Sequence, residues 1–104
     1  IIDTHFIKRG RFGRLAQAIV RNPGHLGIGL GEDTALIVKK GYEAECLGSG
    51  MVIWVDGREI EETNINYVDD ESAIYVDHLK VHLLVRGCKF DIRDCKLTYP
   101  KIRE

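Results

Sequence analysis

The sequence predicts an α/β fold in which a strand–helix–strand unit is followed by β-rich hairpins, and three observations carry that reading. Ile1-Ile2-Asp3 is apolar until a polar residue at its carboxyl end, the pattern of a buried strand reaching the edge of a sheet. Phe12, Leu15, Ala16 and Ile19 recur at the i, i+3, i+4, i+7 spacing of an amphipathic helix. From Thr34 onward the helical period is lost, and short β-prone runs alternate with glycine-containing breaks.

In chain order, the helix is expected from about Phe12 to Arg21, closed by Asn22-Pro23-Gly24. Leu26–Leu30 follows as a short, glycine-thinned strand, which completes one crossover unit of a parallel sheet. Thr34–Val38, Glu43–Leu47 and Met51–Val55 are then strands, broken by Lys40-Gly41, by Gly48-Ser49-Gly50 read as a hairpin turn, and by Asp56-Gly57 read as a hairpin signal. Ile65–Val68 reads as a further extended piece. Leu79, Val81, Leu83 and Val85 alternate with strict period two, and Phe90-Asp91-Ile92 follows the Arg86-Gly87 turn. The tail around Pro100 is expected to be peripheral, whereas Trp54 and Tyr75 read as core or half-buried strand residues. Parallel sheets are normally covered by helices on both faces, and a lone crossover unit cannot supply that cover. The chain therefore reads as part of something larger: one partial domain over 1–104, with a site-bearing unit at 1–33 and a β-rich remainder at 34–104.

Composition narrows the class. With 104 residues, 44% hydrophobic and 30% charged, the sequence is that of an ordinary globular domain with room for a single core. No apolar run approaches a membrane span, and Ile1-Ile2-Asp3 lacks the basic start and apolar stretch of a secretory signal. Cys46, Cys88 and Cys95 are odd in number and have neither disulfide-framework nor zinc-site spacing, so reduced thiols and a cytoplasmic location are expected. Charge is unevenly placed. No acid lies between Asp3 and Glu32, yet Lys8, Arg9, Arg11, Arg14 and Arg21 do. A compact positive patch suits an anionic ligand of limited size better than a nucleic acid, which calls for a broad basic face.

Several residues are candidates for chemistry. His5 stands just past a strand end, where open α/β sheets gather reactive groups, and a histidine there is either a general base or a hydrogen-bonded loop residue. Arg9 and Arg11 precede the helix and Arg14 lies in its first turn, so all three sit near its positive end, where an anion is favoured. The competing reading is a solvated face paired with acids elsewhere. Glu32 follows the second strand and is suited to orienting His5, to meeting a substrate cation, or to pairing with an arginine. Gly27-Ile28-Gly29-Leu30-Gly31 leads into a strand and lacks nucleotide-binding geometry. Gly48-Ser49-Gly50 lacks the outer glycines of a nucleophile elbow, since Leu47 and Met51 flank it. His78 and His82 have no glutamate between them and lie on a strand, which argues against a zinc pair.

Taken together, Asp3-Thr4-His5-Phe6, Arg9-Gly10-Arg11-Phe12-Gly13-Arg14-Leu15 and Gly27-Ile28-Gly29-Leu30-Gly31-Glu32-Asp33-Thr34-Ala35 resemble the cyanophycinase family of serine peptidases, whose more distant relatives are aspartyl dipeptidases. The resemblance implies the C-terminal part of a three-layer α/β/α sandwich, like that of class I glutamine-amidotransferase domains. It implies a serine-type exopeptidase that cuts β-linked Asp-Arg dipeptides from cyanophycin. His5 then matches the catalytic base, and Asp3, Thr4, Arg9, Arg11, Arg14 and Glu32 match substrate-pocket positions. Thr4 stands where the best-known cyanophycinase type carries Gln, which points to a different substrate preference. The elbow serine and the oxyanion-hole loop precede this region in the family, so the rest of the peptidase chain is the expected partner, and this chain alone is expected to be inactive. The resemblance implies no cofactor, no metal, no nucleic acid and no membrane, and is compatible with a homo-oligomer. The alternatives are a non-catalytic anion-binding module built on Arg9, Arg11 and Arg14, and a purely structural β-rich domain.

Overall fold

The computed structural model describes residues 2–3, 11–69 and 72–100. Its first sheet, sheet A, is mixed. Strand β1 (Ile2–Asp3) runs parallel to β2 (Leu26–Leu30), with Ile2 opposite Ile28 and Asp3 opposite Gly29. The crossover between them is helix α1 (Arg11–Arg21). Strand β2 pairs antiparallel with β5 (Met51–Asp56), and β5 pairs antiparallel with β8 (Lys80–Val85), giving the order β1-β2-β5-β8. Sheet B is wholly antiparallel, in the order β10-β9-β4-β3, and contains β3 (Thr34–Lys39), β4 (Glu43–Gly48), β9 (Lys89–Asp91) and β10 (Lys96–Tyr99). A two-stranded ribbon, β6 (Glu62–Thr63) with β7 (Val76–Asp77), belongs to the excursion between β5 and β8.

Strand β5 explains why the two sheets and the helix form one body. Its apolar run is buried on both faces. Ile53 and Val55 meet Leu15 and Ile19 of α1, whereas Val52 and Trp54 meet the inner face of sheet B. The second cluster is the larger: Ile28, Val52, Trp54 and Leu84 from sheet A pack on Ala44, Cys46 and Phe90 from sheet B, with Cys95 beside them. The rings of Trp54 and Phe90 lie 4.4 Å apart between centroids. The layers are thus helix, sheet A, sheet B. Gly27 sets the spacing of the first two, because a Cβ there would fall 2.7 Å from the Ile19 side chain. Helix α1 ends where the sequence predicts: the Asn22 side chain donates to the Ala18 carbonyl at 3.0 Å, satisfying a terminal acceptor, and Pro23 cannot extend the turn.

Phe12 is 43% exposed, so the buried stripe of α1 consists of Leu15, Ala16, Ile19 and Val20. Among the described residues, helix α1 packs mainly on β2 and β5. On β8, Val81, Leu83 and Val85 face the helix side, opposite Val55, Ile53 and Met51, and are 38%, 61% and 55% exposed.

Four local expectations are corrected by this topology. Gly48-Ser49-Gly50 is not a hairpin turn: β4 lies in sheet B and β5 in sheet A, so it is a sheet-to-sheet link. Asp56-Gly57 does not form a hairpin either, because the run that follows is charged rather than alternating, and β5 finds its partners in β2 and β8. Ile65–Tyr67 is a 3-10 turn that buries Ile65, and Tyr75, just ahead of β7 in the same excursion, is 55% exposed. The turn at Lys40-Gly41 is as expected: both residues have positive φ, 58° and 79°, and the Tyr42 N–H donates to the Lys39 carbonyl at 3.1 Å.

His82, opposite Trp54 on β8, packs edge-on to Phe90 at 5.1 Å, and its Nε2 is buried without a hydrogen-bond partner. Burial lowers its pKa from the ordinary 6.5, Lys80 adds to this, and Asp56 opposes it. The unfolded chain therefore binds the proton more readily than the folded one. Stability is at its plateau above about pH 6.5 and falls as the pH drops toward the depressed folded value. Denaturant unfolding at stepped pH is expected to show that fall in wild type and a flatter profile in His82→Gln. An equal slope in both proteins would contradict the assignment.

Candidate functional site

Parallel pairing gives sheet A one chemically distinctive edge. Strand β1 stops at Asp3 beside Gly29, and β2 runs one residue further to Leu30, so both carboxyl ends lie together. Because α1 returns antiparallel to them, its first turn belongs to the same end. That turn contains no acid and carries Arg11 and Arg14. Arg14 is exposed. At a helix start, free N–H groups and the dipole already favour an anion, and an exposed guanidinium strengthens that preference.

The link from β2 to β3 supplies the opposite charge. Gly31, Glu32 and Asp33 cross from sheet A to sheet B at this edge, and Glu32 is exposed. The link is tightly held. The Gly31 N–H donates to the Met51 carbonyl at 3.1 Å, and the Thr34 hydroxyl donates to the Gly31 carbonyl. The Ser49 N–H donates to the Asp33 carbonyl at 3.0 Å, and the Ser49 hydroxyl donates to the Asp33 carboxylate.

Of the residues singled out in the sequence, Arg14 and Glu32 are thus brought to one edge by strand order and helix direction. Asp3 ends β1 and Arg11 opens α1, which assigns their backbones to the same edge. Thr4, His5 and Arg9 lie outside the described residues. What sequence reasoning missed was the role of Gly48-Ser49-Gly50 as the counterpart of the Glu32 link. The signal was two glycines around a serine, read as a hairpin turn and weighed as a nucleophile elbow.

A cavity of ≈340 Å³ lies at the other end of β2, lined in part by His25, Asp56, Arg58, Arg93 and Cys95. Its cations are already engaged. Arg58 holds the Asp56 carboxylate through Nε and Nη2, both at 3.0 Å, while Arg93 pairs with Asp91 at 3.0 Å and stacks 3.5 Å above the Tyr42 ring. Burial would raise the Asp56 carboxyl, but the Arg58 side chain and backbone outweigh it and hold the group below the ordinary carboxylate range. Burial pushes the Cys95 thiol up to about 11, with the Asp56 carboxylate adding to the shift, so this sulfur is protonated and unreactive at neutral pH. Cys46 is likewise pushed to about 11 by burial, and all three cysteines are free.

Among the described residues, Glu61, Asp77 and His78 bring potential metal-ligating atoms within 4.8 Å of one another. All three are exposed, and His78 Nδ1 lies 3.2 Å from Glu61 and 3.1 Å from Asp77, the geometry of a surface ion pair. His82 does not join His78, since it turns inward to Phe90. No described helix is long and apolar enough to cross a membrane.

A parallel strand pair with its crossover helix, continued by antiparallel strands, defines a mixed α/β protein whose loops gather at the carboxyl edge of the parallel strands. No protein-family model matches the chain. It is 37% identical over 92 residues to the cyanophycinase of Trichormus variabilis, a match that covers 88% of this chain and 31% of the relative. The cyanophycinase of Geminocystis herdmanii is 36% identical over 91 residues, covering 88% of this chain and 34% of the relative. That of Synechococcus elongatus is 34% identical over 93 residues, covering 89% and 29%. The chain is thus similar to cyanophycinases, and it spans about a third of the length of the curated relatives it matches.

Proposed function

We propose that this chain contributes the general base and the anion-binding pocket of a serine-type exopeptidase that hydrolyses β-aspartyl-arginine linkages of cyanophycin or a related aspartyl peptide. The nucleophilic serine belongs to the rest of the peptidase chain, and residues 1–104 alone are inactive. His5 takes the serine proton during attack and returns it to the leaving amine. Arg9, Arg11 and Arg14 receive aspartyl carboxylates at the helix start, with Asp3 and Thr4 lining the approach. Glu32 serves as the acid partner of His5 or of a substrate guanidinium.

The observation that carries this reading is the parallel β1/β2 pair. Strand β1 ends at Asp3 on the same edge that presents Arg14 and Glu32, in a segment similar to cyanophycinases. The parent architecture proposed is a three-layer α/β/α sandwich of the class I glutamine-amidotransferase type. The exposed apolar strip Val81, Leu83, Val85 on the helix side of sheet A supports it, because such a strip is normally covered by a further element. Within that architecture 1–33 is the site-bearing unit and 34–104 its β-rich support. A cytoplasmic enzyme, monomeric or a homo-oligomer, fits the reduced thiols.

A second reading, a non-catalytic anion-binding module, draws on the acid-free first turn of α1. Arg14→Ala in the complete enzyme separates the two. A charge-assisted hydrogen bond of roughly 1.5–3 kcal/mol lost on substrate binding predicts a KM raised about 10- to 100-fold with a smaller change in kcat. Unchanged KM would contradict the proposed pocket. Anion binding by a complete protein that releases no dipeptide would favour the module.

A further inference from the structure

We propose that Gly48-Ser49-Gly50 is a positioning clamp for Glu32, so that Ser49 acts on the site through the Glu32 backbone and not as a nucleophile. The inference rests on the reading of Glu32 as a site residue and adds what holds it there. Two links cross between the sheets at the same edge in opposite directions: Gly31–Asp33 from sheet A to sheet B, and Ser49-Gly50 from sheet B to sheet A. Glu32 stands between two pinned neighbours. On one side Gly31 continues the β2/β5 ladder by donating to Met51, and on the other Asp33 receives both the N–H and the hydroxyl of Ser49.

The two glycines are what allow so close an approach. Gly48 has φ +92°, and a Cβ there would fall 1.9 Å from the Asp33 carbonyl oxygen. A Cβ on Gly50 would fall 2.5 Å from the carbonyl oxygen of Glu32 itself. Both contacts are to backbone, which cannot swing aside as a side chain would. Asp33, held at φ 55°, spends its carboxylate on Ser49 and is not poised to act in the site. Glu32 and Asp33 are therefore neighbouring acids with different tasks, one presented and one anchored.

The test uses the complete enzyme and follows release of β-Asp-Arg from cyanophycin. Ser49→Ala is expected to lower kcat/KM about 10-fold with little change in melting temperature, and Ser49→Thr to restore it. Gly50→Ala, which pushes directly on the Glu32 carbonyl, is expected to lower it about 100-fold, the scale of an ångström-level misplacement. The decisive readout is coupling: in a Glu32→Gln background, Ser49→Ala is expected to have no further effect, because it acts only through that side chain. Losses that add in full in the double variant would overturn the clamp. So would wild-type activity in Ser49→Ala and Gly50→Ala alongside an impaired Glu32→Gln, a result that leaves the reading of Glu32 standing. Wild-type activity in Glu32→Gln would remove that reading and the clamp with it.

Discussion

Replacing His5 with alanine in the complete enzyme is expected to abolish release of β-Asp-Arg, with a loss in kcat of about 10⁴-fold or more. A serine hydroxyl is a weak nucleophile at neutral pH, and a positioned base removes its proton as the bond forms. General-base catalysis alone contributes roughly 10²–10⁴-fold, and the same imidazole is used again when the amine leaves, so one deletion disables both halves of the reaction. In the proposed site the arginines bind the substrate, so KM is expected to move little in this variant. Pre-steady-state assays with a β-Asp-Arg substrate, run with a melting curve on the same sample, check the result. Undiminished turnover by a folded His5→Ala enzyme would contradict the assigned role.

The largest expected loss of stability is at Trp54. This residue is fully buried on the central strand of sheet A, and its ring spans the gap to Phe90 of sheet B. Truncation to alanine removes the Trp54–Phe90 ring contact between the two sheets and leaves a cavity that β5, hydrogen-bonded to β2 and β8, cannot move to close. Substitutions of this kind cost about 3–5 kcal/mol, a large share of the roughly 5–15 kcal/mol that stabilises a domain. Trp54→Phe keeps most of the ring and deletes the indole Nε1, which is buried without a partner, so its loss is expected to be much smaller. Denaturant unfolding of the two variants checks the ranking. Equal stabilities would mean that the inter-sheet cluster is not the core.

How much of this was legible in the sequence depends on whether a feature is local. Helix α1 was legible from its 3.6 period, β8 from strict alternation, and β2, β3, β4 and β5 from short β-prone runs bounded by glycine breaks, all of which are written in neighbouring residues. Which sheet each strand joins was not, since alternation defines two faces and names no partner. Gly48-Ser49-Gly50 and Asp56-Gly57 carry the same turn chemistry as Lys40-Gly41, yet only the last closes a hairpin. The difference lies in long-range pairing, because β5 is claimed on both sides by β2 and β8. Strand β10 went unread because Lys96-Leu97-Thr98-Tyr99 is too short to display a period, and its pairing depends on β9.

The site divides in the same way. The order of the Asp3–Phe6, Arg9–Leu15 and Gly27–Ala35 motifs was readable, and the parallel β1/β2 pair explains why Asp3, the first turn of α1 and the link after Leu30 belong to one edge of sheet A. The bracing of Glu32 was not readable, because Ser49 and Asp33 are 16 residues apart and meet only when the sheets stack.

The proposed role, residues of a cyanophycin-cleaving site contributed to a larger enzyme, can be tested directly. The most direct measurement is to incubate cyanophycin with the complete enzyme and, in parallel, with residues 1–104 alone, and to quantify β-Asp-Arg by mass spectrometry. Dipeptide is expected from the complete enzyme and none from residues 1–104. Cyanophycin left intact by the complete enzyme, or cleaved by the segment unaided, would contradict it.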